Sequence, residues 1–67
     1  MSTAVASINE RAAEEYFRRA RDAEKEGNTE RAIEFFEMAL REDQDHEQAS
    51  FALAVHLDRR GEDARAI

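Results

Sequence analysis

Residues Gly27-Asn28-Thr29-Glu30-Arg31-Ala32-Ile33 return 34 positions later as Gly61-Glu62-Asp63-Ala64-Arg65-Ala66-Ile67, with Gly, Arg-Ala and Ile in register. Both glycines of the chain lie on this register, and so do the pairs Phe17/Phe51, Ala20/Ala54 and Glu24/Asp58. Agreement at glycines and small residues together is informative, because turns and close helix crossings restrict those positions most. A fixed period of this length implies a repeated supersecondary unit whose copies bury a face against one another.

Helical spacing surrounds the repeated segment. Ser7 followed by Glu10 reads as a capping box that opens a first helix, along which Ile8, Ala12, Ala13, Tyr16, Phe17, Ala20 and Ala23 recur at helical intervals. Glu14 with Arg18, and Glu15 with Arg19, are i,i+4 pairs in the favourable order. Gly27 is expected to stop this helix in a left-handed conformation, and Asn28 or Thr29 to cap a second one. That second helix carries Ala32, Ile33, Phe35, Phe36, Ala39 and Leu40. The run Glu42-Asp43-Gln44-Asp45 reads as a turn, and Asp45 with Gln48 as a capping box for a third helix, apolar nearly all round from Ala49 to Leu57. Gly61 is expected to stop that helix, leaving Glu62 to Ile67 as the start of a fourth. The expected fold is all-α: an antiparallel helical hairpin, a third helix and the start of a fourth. It forms a single domain over 1–67, with a flexible tail over 1–6.

Composition bounds the function. The 67 residues hold 10 Lys+Arg against 16 Asp+Glu, a net charge of −6, which argues against a binder of phosphate backbones. The chain has no Cys, so neither a disulfide framework nor a thiolate metal site is available, and a reducing, cytoplasmic setting fits. No apolar run approaches the roughly 18 residues of a membrane span, and the first residues lack the basic region of a secretory signal. Of 28 apolar residues 13 are Ala, so the helices cross closely and the core is thin; a domain this small buries only about 60% of its unfolded surface. A covering surface is therefore expected.

The period and its contents resemble the tetratricopeptide repeat. The second-helix signature stands as Ala32-x3-Phe36 with Ala39 following, and the first-helix positions hold Tyr16, Arg19, Ala20 and Ala23, then Ser50, Leu53, Ala54 and Leu57 in the next copy. Arg19 replaces the family's Leu and Gln44 its Pro. A full copy spans 13–46 and a partial one 47–67. The resemblance implies that Ala20 meets Ala32 and Ala39 where the two helices cross. The chain also resembles microtubule-interacting-and-trafficking domains, three-helix bundles whose third helix is longer and lacks a stop like Gly61.

Little in the chain suggests catalysis. His46 and His56 are ten apart, so one helix cannot present both to a metal, and they read as surface or boundary residues. Ser2, Ser7 and Ser50 have no plausible base, and no glycine-rich phosphate loop exists. No enzyme activity, cofactor, metal, small-molecule substrate, nucleic acid or membrane is expected. By the resemblance, the first helix of each repeat lines a groove that binds peptides, which singles out Phe17, Arg21 and Glu24, then Phe51, Val55 and Asp58, as partner-binding residues. Phe17 is equally readable as core. A basic clamp for acidic tails is not matched, since those positions hold Phe17, Arg21 and Ala52. The function expected is protein–protein interaction with a partner peptide or with a second copy. A homodimer burying the third helix is the working form.

Overall fold

The computed structural model describes residues 7–65, and side chains within that range up to Glu62. Three helices follow in order: α1 (Ile8–Lys25), α2 (Thr29–Glu42) and α3 (Glu47–Arg65). Among the described residues there is no strand, as expected of an all-α chain with a tetratricopeptide-like hairpin. The tail expected over 1–6 and the last two residues lie outside the described range.

The ends of α1 are built as the sequence indicates. Ser7 Oγ accepts from the Glu10 N–H at 3.1 Å, and Glu10 Oε1 accepts from the Ser7 N–H at 2.8 Å, closing the capping box. At the other end Gly27 adopts φ +78°. The Gly27 N–H then donates to the Glu24 carbonyl at 3.0 Å and the Asn28 N–H to the Ala23 carbonyl at 2.9 Å, the pair of bonds that reverses a chain after a helix. Asn28 caps α2 by accepting from the Arg31 N–H at 3.2 Å.

The hairpin core is an alanine seam. Ala13, Ala20 and Ala23 of α1 and Ala32 and Ala39 of α2 are all buried, together with Phe36, which is fully enclosed. Aromatic rings fill the space beside the seam. Tyr16 stacks on Phe35 with centroids 6.3 Å apart, and Phe17 meets Phe36 at 5.7 Å. Adjacent residues thus both face α2, each taking one of two adjacent phenylalanines. The Glu14–Arg18 pair expected from spacing does not form: Glu14 reaches α3, and Glu15 takes both Arg18 (3.0 Å) and Arg19 (3.1 Å).

α3 begins differently from the expectation. Its cap is His46 rather than Asp45. The Ala49 N–H donates to His46 Nδ1 at 3.1 Å, while Asp45 is occupied in a tighter turn, its N–H bonding Asp43 Oδ1 at 3.0 Å. Because Nδ1 accepts, Nε2 carries the ring proton, and it faces Glu14 Oε2 at 2.9 Å. The ring also packs on Phe17 at 5.1 Å. His56, ten residues on, repeats the arrangement against Glu24 Oε2 at 2.5 Å and the Phe36 ring at 5.8 Å. Arg60 completes the series with two contacts to Glu30, at 2.7 and 2.8 Å. The side chain of His46 is 6% exposed and that of His56 12%, so both dock α3: of the surface or boundary positions expected, His56 is a boundary residue and His46 is buried.

α3 also runs straight through Gly61 to Arg65, so the expected stop and the start of a fourth helix are one continuous helix. Gly27 has a positive φ and Gly61 does not. The reversal at Gly27 is rewarded by the packing of α2 against α1. At Gly61 local i→i−4 bonding prevails over the roughly 1 kcal/mol cost of a helical glycine.

Two consequences are measurable by thermal or urea unfolding. Gly27→Ala should destabilise by about 1 kcal/mol, because alanine is strained at that φ. Gly61→Ala should stabilise by roughly 0.5–1 kcal/mol, since a Cβ there meets nothing within 4 Å and the helix gains an alanine. Equal signs at the two positions would contradict the continuous α3. His46→Ala should cost about 2 kcal/mol, combining a lost cap with a lost aromatic contact, and His46→Asn, which keeps a cap acceptor, should recover roughly half.

Candidate protein interface

The docking of α3 beside α1 creates a shallow depression between them. It is lined by Phe17 and Arg21 of α1 and by Gln48, Phe51 and Ala52 of α3. Each wall has a local cause. Phe17 is held half-buried by its contacts with Phe36 and His46, so the ring stays partly exposed. The Arg21 guanidinium lies over that ring, 5.9 Å from its centroid, and pairs with Glu24 Oε1 at 3.3 Å. Ala52 packs in the hairpin core and is buried, which lowers the floor. Phe51 is the preceding residue and projects beside it, 74% exposed. A large apolar side chain held in water on an ordered helix is the kind of feature that marks a contact surface.

Three of the six residues singled out from the sequence line this depression: Phe17, Arg21 and Phe51. Glu24, Val55 and Asp58 are not among its walls. Glu24 has both oxygens engaged, one by Arg21 and the other by His56, and works inside the fold. Val55 is half-buried and Asp58 exposed farther along α3. Gln48 and Ala52 enter instead, from the first turns of α3. The signal for them was the helical interval: both lie within one turn of Phe51.

The chemistry of the depression is mixed and small in scale. It offers two aromatic rings, one cation and one amide. Among the described residues no group of three or more His, Cys, Asp or Glu is arranged to hold a metal ion, and no helix is long and apolar enough to cross a membrane.

No curated protein and no solved structure matches the chain. A sequence profile of the tetratricopeptide repeat matches residues 13–46, which is 34 of the 67 positions. The matched segment runs from the first alanine of the seam to the histidine that caps α3, so it contains the whole hairpin crossing. An unbroken third helix is a trait expected of microtubule-interacting-and-trafficking domains, but the matched segment and the Ala20–Ala32–Ala39 crossing are those of the repeat. The chain belongs to the tetratricopeptide repeat family.

Proposed function

We propose that this chain is a protein–protein interaction module, with no catalysis of its own, that receives a segment of a partner protein in the depression between α1 and α3. Tetratricopeptide repeats are interaction modules. The observation that carries the finer reading is Phe51, 74% exposed, lining one depression with Phe17 and Arg21. An apolar side chain of an extended peptide fits between the two aromatics. A carbonyl of its backbone would accept from Arg21 or Gln48. With only one cation in the depression and a chain charge of −6, a strongly acidic tail is a poor ligand, and neutral or basic segments are favoured. Glu24 supports the site indirectly by holding Arg21. Val55 and Asp58 extend the same side of α3 and would contact only a longer ligand. A Cys-free chain of this kind suits the cytoplasm.

Self-association through α3 is the second reading. It is favoured by the exposure of Phe51 and of Leu57, which is 44% exposed. Opposing it, two chains of charge −6 repel at low salt. Sedimentation at micromolar concentration, with Phe51→Glu as control, separates the two: a dimer lost in the variant would favour self-assembly.

The groove reading is tested by selecting peptides from a random display library on the purified chain and titrating them against Arg21→Glu and Gln48→Ala. Selected peptides should share an apolar anchor. They should lose about ten- to a hundredfold in affinity with Arg21→Glu, roughly 1.4–2.7 kcal/mol, and less with Gln48→Ala. Peptides indifferent to both substitutions would show that binding occurs elsewhere.

A further inference from the structure

Arg21, the cation that lines the α1–α3 depression, does not present its charge freely. Its guanidinium lies over the Phe17 ring and pairs with Glu24 Oε1 at 3.3 Å, while Glu24 Oε2 meets His56 Nε2 at 2.5 Å. One carboxylate thus bridges a cation in the depression and an imidazole that is not among its walls. Exposure falls along this series, from 56% for the Arg21 side chain through 25% for Glu24 to 12% for His56. The inner pair is therefore the less screened of the two.

Histidine is the side chain whose charge ordinarily changes between about pH 5 and 8. A carboxylate accepts, so the neutral His56 ring donates from Nε2, and a second proton goes to Nδ1. A set of one cation and one anion then becomes two cations and one anion. The imidazolium competes with the guanidinium for the same carboxylate, and it holds the shorter, more buried contact. Arg21, on the longer and more exposed contact, is the partner that gives way. The other charged groups around His56 are Glu30 of α2 and Arg59 and Arg60 of α3, which line one depression with it, Arg60 bonded to Glu30. Carboxylates and guanidinium groups ordinarily keep their charge through that range. His46 answers acid differently. Its Nδ1 already accepts from the Ala49 N–H, so a second ring proton costs α3 its cap, and its partner is Glu14, not the carboxylate that holds Arg21.

We propose that His56 is a positioning residue for Arg21: on protonation it draws Glu24 from the guanidinium, and the depression turns from uncharged toward anionic ligand groups. The ligand preference rests on the groove reading above; the coupling of His56 to Arg21 does not.

NMR of the free chain follows the coupling without a ligand. The Arg21 side-chain Nε resonance should move with the same midpoint as the His56 ring. It should stand still in His56→Gln, whose amide can donate to Glu24 but cannot gain charge. For the ligand, a peptide selected on the chain is remade with Asp or with Asn beside its apolar anchor. From about pH 8 to about pH 5.5 at low salt the Asp peptide should gain roughly three- to tenfold in affinity and the Asn peptide little, the gain shrinking as salt rises. His56→Gln should remove the gain. Glu24→Gln should give the Asp peptide, at neutral pH, the tighter binding that the unaltered chain reaches only in acid, which misfolding cannot produce. An Arg21 resonance indifferent to His56, or a gain that survives His56→Gln and so belongs to His46, would overturn the proposal. Peptides indifferent to Arg21→Glu would remove the groove reading instead, and the spectra of the free chain would still decide the coupling.

Discussion

Two helices approach only as closely as the side chains between them allow, and in this chain the limit is set by alanine. Ala13, Ala20 and Ala23 on one side and Ala32 and Ala39 on the other leave almost nothing between the backbones of α1 and α2. Such a seam fixes geometry more than it supplies energy, because an alanine removes little apolar area from water. Much of the burial comes from what the close crossing brings together at its margins: Phe36 is enclosed, and Phe17, Tyr16 and Phe35 pack around it. Any larger residue in the seam would part the helices and loosen the aromatic contacts with them. The thin core and the ordered rings are two results of one constraint.

The third helix is held by a different kind of interaction. Its hairpin-facing side supplies donors, His46, His56 and Arg60, and the hairpin supplies acceptors, Glu14, Glu24 and Glu30. The two histidines carry more of the docking than the arginine, since they are largely buried and stack on Phe17 and Phe36, whereas the Arg60–Glu30 pair is exposed and screened. His46 has a further duty, because the same ring that contacts α1 also caps α3. One side chain therefore serves both the docking of α3 and its start.

The hairpin was legible because its determinants are local or periodic. Ser7 with Glu10, Gly27 before Asn28, and the alanines at helical intervals each act through neighbours within a turn, or recur at the 34-residue period. The docking of α3 was not legible from single helices. His46 and His56 have no local partner, and the relevant spacing was 32 residues back, to Glu14 and Glu24. Gly61 misled for the complementary reason. Its local chemistry matches Gly27, but whether a glycine ends a helix depends on what the following segment packs against. At the candidate interface, Phe17, Arg21 and Phe51 followed from the repeat register, while Glu24 was drawn inward by a histidine that the register does not align with it.

The two outer sides of the assembly are unlike. On α1, the positions equivalent to the buried Ala49 and Ala52 are Glu15 and Arg18, exposed and joined by ion pairs. On α3, the outward side is Phe51, Ala54 and Leu57. The molecule is thus directional, with one end suited to water and the other to contact. Copies set head to tail would place the apolar side of one against the ion-paired side of the next, a poor chemical match. The two sides thus differ in what they offer to water: ion-paired charge on α1, apolar side chains on α3.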